Sequence, residues 1–361
     1  MRKIFVFVMV GIAVVGMIGI SSADAALKAE YKLSSNVSET SGHGQATAYF
    51  AKLVSERTNG EVNIKPYWGA QLMAGKPSNE FSLIRGGAID FAHSSFINWA
   101  PQFPQGNLFL LPWFISGEPD KYKALDAIEH GKAGKIIEEM MDKQGIVVIG
   151  WGENGYRELT NSKHPIRKPD DIKDLKIRVV GSPLFLDIFS ALGANPTNIN
   201  FAESLTALQQ GVVDGQENPI MSTIISYKIH EMQKYITIWS YNVDPYAFVV
   251  NQKSWASFTP EQQKIIRECA EEAGRYNKAM CRLGLDNGES KAFLESINAM
   301  PTMLPAEPYK FLEQSGCEVA VLTQEEIAAF KEKTAPVLKN WIEKVGIELV
   351  AAAEEDMKSV R

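Results

Sequence analysis

Two arginines and an asparagine, set in three short segments, carry the most specific chemistry in this chain. The segments are 151–161 (WGENGYRELTN), 169–179 (PDDIKDLKIRV) and 207–219 (ALQQGVVDGQENP), and the residues are Arg157, Arg178 and Asn218. A guanidinium presents parallel N–H donors that match the two oxygens of a carboxylate. An asparagine offers both a donor and an acceptor, and Pro219 keeps the backbone of Asn218 out of the helical region. On pattern alone other readings stay open. Arg178 alternates with Ile177 and Val179, which also suits a solvated arginine on the outer face of a strand. Arg157 has Glu153 and Glu158 nearby as ion-pair partners, and Asn218 fits a simple turn before proline.

Catalytic patterns are missing. The sequence contains no GxSxG, no HExxH and no GxxxxGK[ST], and its histidines (His43, His93, His130, His164 and His230) lack close metal-ligand spacing. No cofactor and no metal-ligand set is therefore expected, and the sequence leaves open whether a metal bridges some ligands. Gly42-His43-Gly44 precedes a helix, whose first N–H groups could meet an anion; a flexible helix start explains the same residues. An enzyme would need a base or nucleophile with a partner, and the three segments offer only Glu153, Glu158 and Glu217. Binding without turnover is the expectation.

The elements that must position these residues alternate. Ala46, Tyr49, Phe50, Leu53 and Val54 share one helical face that ends at Thr58-Asn59-Gly60. Strands are predicted over 62–67, 88–92, 146–149 and 176–180, and helices over 77–85, 183–192 and 202–210. One long charged helix is predicted over 120–144, another over 260–293, and polar helices from 324 to the end. Strands alternating with helices imply mainly parallel sheets covered on both faces. Such sheets bind ligands beyond the carboxyl ends of their strands.

Met1-Arg2-Lys3, an uncharged run over 4–20 and Ala23-Asp24-Ala25 together read as a secretory signal peptide cleaved after residue 25. The rest is long enough for two domains. A net charge of −6 with no basic stripe argues against a nucleic acid partner. Cys269, Cys281 and Cys317 have no CxxC spacing and read as small buried residues rather than a disulfide framework.

The three segments, in this order, closely resemble the solute-binding subunit of TRAP transporters, the dicarboxylate-type (DctP) family. Gly69-Ala70-Gln71-Leu72, Gly87-Ala88-Ile89-Asp90 and Leu192-Gly193-Ala194-Asn195-Pro196 extend the likeness over nearly the whole chain. The resemblance implies a two-lobed α/β periplasmic binding-protein fold with a long helix spanning the hinge. It implies that Arg178 holds the ligand carboxylate, that Asn218 lies beside it and that Arg157 adds charge. Its partners would be a small carboxylate and the integral membrane subunits of the transporter. A receptor presenting its ligand to a membrane sensor would look the same. The lobes are expected at 26–154 plus 243–282 and at 155–242 plus 283–361. The chain departs from many relatives in carrying Ser240-Tyr241 where they have histidine, and in Ala74-Gly75-Lys76-Pro77. Tyr241 is accordingly a further candidate, with Glu80, Ser95, Asn98 and Trp99 on the first-lobe side.

Overall fold

Short apolar runs form strands here and amphipathic runs form helices, in two sheets that share one long strand. The computed structural model describes residues 27–361; the expected signal segment lies outside them. The first sheet contains β1 (Tyr31–Ser34), β2 (Ile64–Tyr67), β3 (Phe91–Ser95), the first part of β4 (Ile146–Asn161) and β9 (Val243–Asn251). The second contains the rest of β4, β5 (Lys176–Val179), β6 (Asn195–Asn198), β7 (Gly215–Pro219), β8 (Tyr235–Ile238) and β10 (Glu318–Val321). Within each sheet the βαβ-type pairs are parallel: β1 with β2 and β3, β5 with β6 and β7, β8 with β10. The strands at the junction break that rule. β9 runs antiparallel to β3 and β4, and β4 runs antiparallel to β7 and β8.

Helices α1 (Gly42–Arg57), α2 (Glu80–Arg85), α3 (Phe96–Trp99), α4 (Lys121–His130) and α5 (Lys132–Asp142) precede β4. Then come α6 (Pro183–Ala191), α7 (Phe201–Gln209), α8 (Gln252–Ala256) and α9 (Pro260–Arg282). The chain closes with α10 (Glu289–Ser296), α11 (Pro308–Gln314), α12 (Gln324–Val345) and α13 (Ile347–Lys358). None of the described helices is long and apolar enough to cross a membrane.

β4 is far longer than the predicted 146–149. All of its residues are buried, yet from Glu153 onward many are polar, so hydrophobicity marks only its start. It pairs with β9 as far as Tyr156 and with β7 from Arg157 on, so Arg157 is its first residue in the second sheet. The strand predicted at 88–92 begins later, because Ala88 and Ile89 both donate their N–H to the Leu83 carbonyl and complete the turn after α2.

Two predicted long helices are interrupted. The 120–144 helix divides at Gly131, where the Asp356 carboxylate of α13 accepts the N–H groups of Lys132 (2.9 Å) and Ala133 (2.8 Å) and caps α5. The 260–293 helix stops at Arg282. Gly284 has φ +71°, and a Cβ there would fall 2.3 Å from the Ala306 oxygen, so the chain turns where no larger residue fits. α9 starts at a capping box, Thr259 with Gln262.

α9 presses directly on β4. A Cβ on Gly274 would lie 2.0 Å from the Trp151 oxygen. Gly274→Ala is therefore expected to lower stability by about 1–3 kcal/mol through overpacking, outweighing the roughly 1 kcal/mol that alanine gains in helix propensity. A lower urea midpoint at an unchanged slope checks this.

Candidate functional site

A cavity of about 270 Å³ lies where the two sheets meet. It is below the usual range for drug-sized ligands, roughly 300–1,000 Å³, and so suits a small solute. One wall comes from the first sheet: Asn36 just after β1, Ser95 at the end of β3, Asp244 on β9, with His43 of α1 and Asn98 of α3. The other comes from the second sheet: Arg178 on β5, Asn218 on β7, and Asn198, Asn200 and Phe201 at and beyond the end of β6. Asn154 and Arg157 line it from β4. After Pro219 the chain makes a π-turn, Ile220–Ile225, which brings Thr223 to the lining; wide turns of this kind often mark functional sites.

Arg178 is 2% exposed. Among the described residues its one hydrogen bond is Nε to the Ile199 carbonyl, at 2.9 Å. Nη1 is buried with no partner among them, and the guanidinium stands 6.0 Å from the Phe201 ring centre. Burial brings its pKa down to about 10; the charge of Glu217 raises it and that of Arg157 lowers it further. This is an undercompensated cation at the cavity wall.

Arg157 is equally buried but neutralised. Nη2 donates to Glu217 Oε1 at 2.8 Å, Nε donates to Glu217 Oε2, and Nη1 donates to Asp244 Oδ2 at 3.2 Å. Nη2 also reaches the Glu217 carbonyl at 2.8 Å and Asn218 Oδ1 at 3.1 Å. Burial alone would weaken its charge, but Glu217 and Asp244 together hold its pKa above the usual arginine value. It organises the wall rather than offering a free charge. Asp244 is pushed up to about 6 by burial, against the pull of Arg157 and hydrogen bonds from Ser95 and Asn154.

A directed chain of hydrogen bonds supports Asp244. Asn277 Nδ2 donates to His43 Nδ1 (2.8 Å), His43 Nε2 meets Asn154 Oδ1 (2.7 Å), and Asn154 Nδ2 donates to Asp244 Oδ2 (2.7 Å). Since Asn277 Oδ1 already accepts the Glu153 N–H at 2.7 Å, its amide is oriented, and His43 carries its proton on Nε2. Burial lowers the His43 pKa to about 4, although the Asn154 bond favours the proton. A depressed histidine contributes stability that is complete above about 6.5 and is lost as pH falls toward 4. Asp244 acts in the opposite sense, its contribution fading as pH rises through 6. Replacing His43→Gln is thus expected to flatten the fall in stability between pH 6.5 and 4, read by urea unfolding at several pH values.

Of the residues expected from sequence, Arg157, Arg178 and Asn218 come together at the cavity, as do Ser95 and Asn98. Tyr241, Glu80 and Trp99 are placed away from the lining. The Tyr241 hydroxyl donates to Glu217 Oε2 at 2.8 Å, behind Arg157. Glu80 accepts from Trp99 Nε1 at 2.9 Å, both side chains fully buried in the first-sheet core. Sequence reasoning missed Asp244 and Asn36. Asp244 had a signal: a lone carboxylate between Val243 and Pro245 in a run that is otherwise apolar and aromatic as far as Val250. Among the described residues no group of three or more His, Cys, Asp or Glu is placed to hold a metal ion, and the three cysteines are free and buried.

Two α/β lobes sharing a strand, with a buried cation in the cavity between their sheets, define a binding protein of the two-lobed class. The chain belongs to the family described as bacterial extracellular solute-binding protein, family 7 (DctP), whose model matches residues 33–286. It is similar to a TRAP periplasmic solute-binding protein of Ralstonia eutropha H16 solved with bound (S)-2-acetolactate: 43% identity, covering 92% of this chain and 99% of that one, TM-score 0.83. It is 34% identical to the 2,3-diketo-L-gulonate-binding periplasmic protein YiaO of Escherichia coli K12, over 67% of this chain and 72% of the relative. It is 30% identical to the C4-dicarboxylate-binding periplasmic protein DctP of Rhodobacter capsulatus, over 90% and 89%. These are solute-binding proteins, not enzymes.

Proposed function

We propose that this chain captures a small organic acid in the periplasm, between lobes 26–154 plus 243–282 and 155–242 plus 283–361, and passes it to the integral membrane subunits of a TRAP transporter. The observation that carries this reading is Arg178, a buried guanidinium whose Nη1 has no partner among the described residues. A carboxylate supplies two acceptors in the matching plane, and lobe closure strengthens the contact by excluding water. Asn198, Asn200 and Asn218 add neutral donors and acceptors for the remaining oxygens. The acetolactate held by the Ralstonia protein is of the size and charge that such a cavity suits.

A thermal-shift screen of organic acids, amino acids and sugar acids tests this. A ligand at one hundred times its Kd stabilises by about 2.7 kcal/mol, which is well resolved. An organic acid is expected to raise the melting temperature and to be recovered unchanged. Stabilisation by neutral sugars alone would remove the anion from the account.

A further inference from the structure

We infer that Asp244 makes the site selective for a hydroxy monocarboxylate and closes it to dicarboxylates, with the hydroxyl donated to the first-sheet wall while Arg178 takes the carboxylate. This inference rests on the Arg178 reading and extends it to the class of acid.

The two walls of the cavity differ in sign. The cation stands on β5, in the second sheet. Across from it, the first-sheet wall presents acceptors. Asp244 is 1% exposed and lines the cavity from β9. Its carboxylate has about four lone-pair sites; Ser95 Oγ, Asn154 Nδ2 and Arg157 Nη1 occupy three of them. One acceptor site is left for a ligand. Asn36 supplies a second, independent observation: the residue lines the same wall, and its buried Oδ1 has no partner among the described residues. Two unfilled acceptors call for a hydrogen-bond donor on the ligand, which a hydroxyl supplies without adding charge. A second carboxylate there would be set against the Asp244 charge, with only the neutral Asn36 and Asn98 amides to receive it.

The local charges support the same conclusion. Asp244 pairs with Arg157 on β4, itself shared with Glu217 on β7, and Arg178 on β5 lines the same cavity; these four charges cancel. The other titratable neighbours are neutral: His43 of α1 through Asn154, Tyr246 of β9, and the Cys281 thiol of α9. A monoanion at Arg178 leaves one excess negative charge in the cavity and a dianion leaves two. Juxtaposed like charges discriminate strongly between ligands. Because burial raises the Asp244 pKa to about 6, a dianion that did enter would draw a proton onto it.

The test is calorimetry near neutral pH with wild type, Asp244→Asn and Arg178→Met, against 2-hydroxybutanoate, butanoate and succinate. In wild type the hydroxy acid is expected to bind at least about tenfold more tightly than butanoate, which leaves the acceptors unfilled, and than succinate, which is repelled. Asp244→Asn is expected to narrow the gap to succinate about tenfold or more. Succinate binding as tight as that of the hydroxy acid in wild type, or an unchanged ratio in Asp244→Asn, overturns the inference. So does an absence of binding by all three acids. Should Asp244→Asn fail to fold, wild type decides by proton linkage in two buffers: succinate takes up a proton on binding and the hydroxy acid does not, and equal uptake overturns the inference. Arg178→Met retaining the binding of every acid would instead sink the Arg178 reading itself.

Discussion

Arg178→Met is expected to weaken binding of the organic acid by about 2–5 kcal/mol, the usual loss when one partner of a buried charge pair is removed. That is a rise in Kd of about thirtyfold to several thousandfold, readable by calorimetry. The same substitution is expected to stabilise the ligand-free protein. Burial brings the Arg178 pKa down to about 10, a destabilisation of the charged form on the order of 3 kcal/mol. Methionine keeps an unbranched apolar stem and removes that cost, so a gain of about 1–3 kcal/mol in urea unfolding is expected. Affinity near the wild-type value would take Arg178 out of the site. A ligand-free variant less stable than wild type would show that the guanidinium is held by contacts other than those seen.

The neighbouring arginine should behave in the reverse way. Arg157→Met is expected to cost the ligand-free protein about 3–5 kcal/mol, because it strands Glu217 and Asp244, both buried, without their shared cation. Tyr241 still donates to Glu217, but one neutral hydroxyl does not replace a guanidinium. Adding Glu217→Gln is expected to recover part of the loss, since the two residues form one unit and their effects do not add. Unfolding curves of the two single variants and the double variant decide this. Simple additivity, or a ligand-free stability equal to wild type, would show that Arg157 is not the structural cation of the wall. The pair of arginines thus separates a binding role from a supporting one, although both look alike as basic residues in a motif.

Much of the fold was legible because its signals are local. The strand at Lys176–Val179, the helices over Pro183–Ala191 and Phe201–Gln209, and the turns at Gly193 and Gly211 follow from apolar runs and from the conformational freedom of glycine. The full length of β4 was not legible, because its polar second half is satisfied by partners distant in sequence: Asn154 by Asp244 and His43, Arg157 by Glu217. The breaks at Gly131 and Arg282 were hidden for the same reason, one set by a carboxylate in α13 and the other by close packing against Ala306. In the site, residue type alone could not separate Tyr241, which donates to Glu217, from Tyr246, which lines the cavity.

The amino-acid order by itself determined that this is an α/β protein with an anion-seeking motif set, because periodicity, turn residues and motif spacing act over a few positions. Only the tertiary structure decided which arginine keeps an unfilled donor and where the opposing acceptors stand. Whether a buried charge is spent on a neighbour or left for a ligand depends on groups that folding brings together from several strands and helices, and no local pattern records that balance.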